Sequence, residues 1–327
     1  MSKILEEHNY YGIDATIIAD SKNEHGQRIT SFICTFPRIV LAEFNTHRML
    51  SRNSASSRAV PFNKMLKQIK ERPFIPIKWM KDHKGMQGNE YFTSDDKIAN
   101  ENGKFPAPYM LEKQWLKARD SAILRAKKLS HDGLTKQIVN RLLEPFKWHT
   151  VICTATDYQN FFALRAHEAA EIHIQKLAFM MLEEYNNSEP KQLKAGQWHI
   201  PFGDSFDQER LDQAFEYHYG FDADWSQEDI EHMFEKLEVK IATARCARVS
   251  YENFEGGDDY QKDIDLHDRL ASMGHMSPME HCGRSMSREE YLSYGIETPK
   301  GGENGWCKNF HGFVQYRSLF ENENRTF

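Results

Sequence analysis

The run Arg28-Ile29-Thr30-Ser31-Phe32-Ile33-Cys34-Thr35-Phe36-Pro37-Arg38-Ile39-Val40-Leu41-Ala42-Glu43-Phe44 changes character at its proline. Before Pro37 the β-branched and aromatic residues predict a strand over 28–36. After it, Val40, Leu41, Phe44 and the aliphatic part of Arg48 share one face at helical spacing, and Pro37 suits a helix start. Upstream, residues 13–19 read as a partner strand. The polar stretch Ser21-Lys22-Asn23-Glu24-His25-Gly26 between them ends in glycine, as a hairpin turn requires. Strands that pair as a hairpin and then give way to helices predict an α+β fold, with a mixed or antiparallel sheet packed against long helices.

Downstream, Leu111, Trp115, Ala118, Ala122, Ala126 and Leu129 mark an amphipathic helix, and a second is expected over 134–143. The strongest helical pattern is 167–185, where Ala170, Ile174, Leu177, Met181 and Tyr185 line one side. A further helix over 226–241 opens with Ser226 and Asp229 spaced as a capping box. Residues 51–57 are rich in serine and read as a loop, and 61–110 read as a long excursion of weak periodicity. With no repeat, linker or low-complexity tract, residues 1–327 read as one domain.

Composition narrows the function classes. Hydrophobic residues are 40% and charged residues 28%, ordinary for a globular chain. A net charge of −6 lacks the basic excess of a protein that wraps nucleic acid, yet leaves room for a phosphorylated small ligand. No apolar run is long enough to span a bilayer, and Met1-Ser2-Lys3-Ile4-Leu5-Glu6-Glu7 is not a signal peptide. The five scattered cysteines form no CxxC pair, which points to a reducing cytoplasm.

Chemistry concentrates in His47-Arg48-Met49-Leu50-Ser51-Arg52-Asn53-Ser54-Ala55-Ser56-Ser57-Arg58. Small side chains let backbone N–H groups approach an anion, and arginine forks pair with phosphate oxygens. The segment resembles the signature of flavin-dependent thymidylate synthases, in which Arg-His-Arg is followed by Ser, Asn-Glu, Ser and Arg at fixed spacing. His47, Arg48, Ser51, Asn53, Ser56 and Arg58 match it; Thr46 stands for the first Arg, Ser54 for the Glu, and Glu43 for an upstream Gln. Two further stretches are similar to the family: Arg141-Leu142-Leu143-Glu144-Pro145, and Asn160-Phe161-Phe162-Ala163-Leu164-Arg165. Ala247-Arg248-Val249-Ser250-Tyr251 and Gly274-His275-Met276-Ser277-Pro278-Met279-Glu280-His281 also match, but in the family they precede the arginine signature. Here they follow it, so the chain reads as a circular permutation, and the stretches near 61–130 and 186–240, which match nothing in the family, read as insertions into one domain over 1–327.

The resemblance implies reductive methylation of dUMP to dTMP, with FAD as cofactor and NADPH and methylenetetrahydrofolate as co-substrates, in a homotetramer whose subunits share sites. It assigns His47, Arg48, Asn53, Asn160, His275, Ser277 and Glu280 to the flavin. It assigns Glu43, Ser54, Ser56, Ser57, Arg58, Arg141, Arg165 and Ser250 to the nucleotide, with Arg165 as the catalytic residue beside the pyrimidine. The three departures leave open a hydroxymethylase acting on dUMP or dCMP, or a nucleotide-binding homologue without catalysis. Gln315 and Arg317, near the C-terminus, could replace the residues missing at positions 43 and 46. No metal is expected, because His275, Glu280 and His281 lack the spacing of ligands on one helical face.

Overall fold

The computed structural model describes residues 12–85, 88–220, 224–251, 259–294 and 304–321. The hairpin forms as expected: β1 (Asp14–Asn23) pairs antiparallel with β2 (Arg28–Pro37), and Gly26 takes φ 83 at the turn. β3 (Ser51–Ser54), β4 (Trp148–Ala155) and β5 (Lys191–Leu193) complete a sheet ordered β3-β4-β2-β1-β5. All neighbours are antiparallel except β1 with β5, so the sheet is mixed and the fold is α+β.

β2 is buried along almost its whole length because helices cover both faces. Phe32, Cys34 and Phe36 point to the side where Ile174, Leu177, Ala178 and Met181 of the helix Ile172–Asn187 pack. Ile33 points the other way, with Ile152 of β4, onto Cys246 and Val249 of the helix Gln227–Tyr251. The period-two alternation of a strand thus builds two apolar interfaces at once. Each fully buried Phe or Ile contributes roughly 1.5–3 kcal/mol of transfer free energy.

Several expected boundaries move. The helix after Pro37 is a 3₁₀ turn, Arg38–Val40, followed by Leu41–Asn45 only. Thr46 ends it by donating its hydroxyl to the Glu43 carbonyl at 2.7 Å, so Arg48 lies outside the helix. Residues 51–54 of the expected loop are a strand, paired to β4 from Ser51↔Thr154 to Ser54↔Val151. The helix expected over 167–185 starts at Ile172, because Glu171 caps it by accepting the His173 and Ile174 N–H groups. His167 and Glu171 therefore do not form an i,i+4 helix pair. The expected 134–143 helix is a short turn, Lys136–Val139, running into the 3₁₀ segment Asn140–Phe146. The 226–241 helix extends to Tyr251, and its capping box is present, Ser226 Oγ and Asp229 exchanging bonds at both ends.

The two stretches expected as insertions are folded. Within 61–130 lie the helix Phe62–Glu71, a ribbon of Lys97–Asn100 with Gly103–Pro106, and the helix Ala107–His131. Met65, Leu66, Ile69, Ile123 and Ala126 join Val139, Leu143 and Phe146 in a satellite core. Within 186–240 the helix Gln208–Tyr219 packs Leu211 and Ala214 against Leu237, Ile241, Tyr260 and Ile264. A second sheet of Trp198–His199, Gly283–Ser285 and Phe313–Gln315 sits beside the first. Its central strand needs Gly283, since a Cβ there would meet Ile29 Cδ1 at 3.1 Å. Among the described residues no helix is long and apolar enough to cross a membrane.

Candidate functional site

β3 organises the cluster, and its alternation sends neighbouring residues to opposite faces. Arg52, opposite Cys153, lies on the face where His47 and Phe161 sit; Asn53, opposite Ile152, lies on the face covered by the helix Gln227–Tyr251.

On the first face, Phe44 packs against Phe36 and Phe161, and the His47 ring meets Phe161 edge to face at 5.0 Å. Arg165 ends the helix Gln159–Arg165, where the helix dipole favours a cation. Its Nε donates to His47 Nε2 at 2.9 Å and its Nη2 to Thr46 Oγ1 at 3.3 Å. A guanidinium only donates, so His47 Nε2 accepts and the ring proton sits on Nδ1. Burial, then the charges of Arg165 and Arg52, lower the His47 pKa to about 4. Arg52 Nη1 reaches across from β3 to the carbonyls of Asn45 at 3.1 Å and His47 at 2.9 Å.

On the second face, Asn53 Nδ2 donates to the Cys246 carbonyl at 2.8 Å and to Ser250 Oγ at 3.1 Å, while Ser277 Oγ donates to Asn53 Oδ1 at 3.1 Å. The Ser56 N–H donates to the Ser250 carbonyl at 2.8 Å. The segments around Ser250 and Ser277, which stand out of order in the sequence, thus close on the signature strand. Below them Glu280, at the end of the 3₁₀ segment Ser277–His281, pairs with Arg317. Gln315 Nε2 donates to Ser51 Oγ at 3.2 Å and to Asn309 Oδ1 at 2.9 Å, and Asn309 Nδ2 donates to Ser51 Oγ at 2.9 Å. Gln315 and Arg317 therefore do reach this cluster, although as supports for Ser51 and Glu280.

Some expected ligand contacts are occupied by the protein itself. Both Asn53 N–H donors are spent, and Ser57 Oγ donates to Glu144, which also faces Arg38 at 3.6 Å. Asn140 holds the Ser57 and Val60 carbonyls at 2.7 and 2.9 Å. Arg48, Arg58, Arg141, Asn160 and His275 are exposed, and no side-chain hydrogen bond or ion pair joins them to the cluster among the described residues. Glu43, Ser54 and Ser56 are half-buried, and Glu43 Oε2 is shielded with no hydrogen-bond partner among the described residues. Arg52, Ser51 and Asn309 were not assigned roles from sequence. Arg52 had a signal, sitting inside the signature at a position where the pattern specifies no residue type.

Two concavities lie elsewhere, one of about 1190 Å³ beside residues 194–197 and the helix Gln227–Tyr251, one of about 260 Å³ walled by Tyr158, Phe162, Tyr185, Trp306 and His311. Neither is lined by a residue of the 46–58 signature. Among the described residues no cluster of three or more His, Cys, Asp or Glu is placed to hold a metal. No protein-family model matches this chain, and no curated protein matches it significantly.

Proposed function

We propose that this chain is a circularly permuted flavin-dependent thymidylate synthase, using FAD, NADPH and methylenetetrahydrofolate to convert dUMP to dTMP. One observation carries the reading: four of the five matching stretches, scattered and reordered along the chain, lie against β3 or its approach through Asn53, Ser250, Ser277, His47 and Arg165. An accidental resemblance would have no reason to reassemble in space.

The donor set suits phosphorylated, electron-rich ligands. Neither Arg52 nor Arg165 pairs with a carboxylate among the described residues, and His47 is held neutral with Nδ1–H as its donor. His47, Arg48, Asn160, His275, Ser277 and Glu280 would hold the flavin, which when bound supplies the redox chemistry of the reaction. Ser54, Ser56, Arg58, Arg141 and Ser250 would hold the nucleotide. Asn53 and Ser57, already committed to protein partners, act as positioning residues. Arg165 would stabilise negative charge gathering on a pyrimidine carbonyl, as preorganised donors do at oxyanion sites. The exposed Arg48, Arg58, Arg141 and His275 suit a site completed by a neighbouring copy, as in the homotetramer that the resemblance implies.

Glu43 favours a second reading, in which the same scaffold takes another pyrimidine deoxynucleotide such as dCMP or adds a hydroxymethyl group. A carboxylate only accepts, so its shielded oxygen suits a ligand N–H donor. The visible spectrum of the purified protein, with NADPH oxidation measured with and without dUMP or dCMP and the product weighed by mass spectrometry, tests both readings. A flavin band and dUMP-dependent turnover are expected; a colourless protein that takes up neither FAD nor dUMP ends the proposal.

A further inference from the structure

We propose that Arg52 is an anion-binding residue of this chain, offering its guanidinium to a phosphoryl group at the Thr46–His47 turn, where Arg165 adds positive charge beside it. The inference rests on the proposed function for the identity of the ligand and for the reading of Thr46; the anion site itself rests on geometry.

The two side chains approach the same dipeptide from different elements. Arg52 comes from β3 and bonds the carbonyls on either side of Thr46, at 3.1 and 2.9 Å. Arg165 comes from a helix C-terminus and bonds Thr46 Oγ1 at 3.3 Å and His47 Nε2 at 2.9 Å. A guanidinium has five N–H donors. Each arginine commits two here, which leaves three apiece without a partner among the described residues. The carboxylates nearby do not neutralise them. Glu280, whose charge Arg52 feels, is paired to Arg317, and no ion pair joins Glu43 to either arginine among the described residues. Two partly desolvated like charges held together by uncharged groups are costly unless an anion joins them, and a phosphoryl group is the usual match to paired arginine forks.

Position matters as much as charge. Thr46 stands where the resembled signature has an arginine, so this chain lacks one cation there. Arg52 brings its guanidinium to the backbone flanking that residue. It thus restores from the strand the charge that position 46 does not carry.

The test compares wild type, Arg52→Gln, Arg52→Lys and Arg52→Gln/Thr46→Arg. Binding of inorganic pyrophosphate, dUMP, deoxyuridine, FAD and riboflavin is followed by calorimetry, and the His47 ring by NMR titration. Arg52→Gln is expected to weaken pyrophosphate and one phosphorylated ligand about tenfold or more, leaving the unphosphorylated counterpart within about twofold. Whether dUMP or FAD shows the loss identifies the phosphoryl source. In ligand-free protein the same variant raises the His47 titration midpoint from about 4 toward its usual value. Arg52→Lys keeps most of the binding, and Thr46→Arg restores it in the Arg52→Gln background.

Unchanged pyrophosphate affinity in Arg52→Gln overturns the inference. So does a loss that neither lysine nor Thr46→Arg recovers, since that marks a role confined to holding the turn. Wild type that ignores pyrophosphate overturns it as well. Wild type that binds pyrophosphate through Arg52 but neither dUMP nor FAD leaves the anion site standing and removes the thymidylate synthase reading instead.

Discussion

Replacing Asn53 by alanine removes the seam between β3 and the two displaced segments. Three hydrogen bonds go: 2.8 Å to the Cys246 carbonyl, 3.1 Å to Ser250 Oγ and 3.1 Å from Ser277 Oγ. Each neutral bond is worth about 0.5–1.5 kcal/mol net. Ser277 is exposed, so water replaces its bond at little cost, whereas the Cys246 carbonyl and the half-buried Ser250 keep most of their penalty. The expected loss is about 2–3 kcal/mol. With a urea m-value of about 3 kcal/mol/M, the unfolding midpoint falls by about 0.7–1 M at unchanged slope. A double-mutant cycle with Ser277→Ala then shows a coupling of about 0.5–1 kcal/mol. A midpoint within about 0.2 M of wild type, or strict additivity with both serines, would refute the claim that Asn53 stitches these segments together.

Acid offers a broader check. Burial holds His199 and His281 neutral with pKa values of about 3, and His47 with one of about 4, against an ordinary 6.5. Between those values the unfolded chain binds more protons, so stability is full above about pH 6.5 and falls as pH drops toward 4, by up to about 1.4 kcal/mol per pH unit for each imidazole; urea midpoints flat from pH 7 to 4.5 would contradict it. Asp263→Ala strands two arginines, the fully buried Arg245 at 3.5 Å from that carboxylate and the largely buried Arg248 at 2.6 Å, and is expected to cost about 3–5 kcal/mol, whereas replacing all three residues by apolar ones costs far less. Arg165→Ala should leave the fold intact by circular dichroism, raise the His47 titration midpoint, and abolish dUMP-dependent NADPH oxidation; retained turnover would strip Arg165 of its catalytic role.

The hairpin, the α+β class and the long helices were legible because they follow from local periodicity. β3 was not. Ser51-Arg52-Asn53-Ser54 has no apolar alternation, and it is a strand because β4 offers it an unpaired edge and Asn53 finds buried partners far along the chain. Tertiary context decided it, as it does for most polar strands. The helix boundary at Glu171 was misplaced for a related reason. The apolar pattern continues backward through Ala170, but the side chain of Glu171 captures the first N–H groups and sets the start. At the site, residue types identified the arginines, while their orientation stayed hidden. Which guanidinium reaches the Thr46–His47 turn depends on the sheet face of β3 and on which end of a seven-residue helix carries Arg165.

The order of the segments has a consequence for biosynthesis. The contacts that close over β3 come from residues as much as 264 positions later. At about 5–20 residues per second, a ribosome needs roughly ten to fifty seconds to deliver them. Through that interval the nascent chain displays an edge strand and the apolar side of Ile33 and Ile152 uncovered, so prematurely terminated translation products should be the species that chaperones retain and that precipitate first.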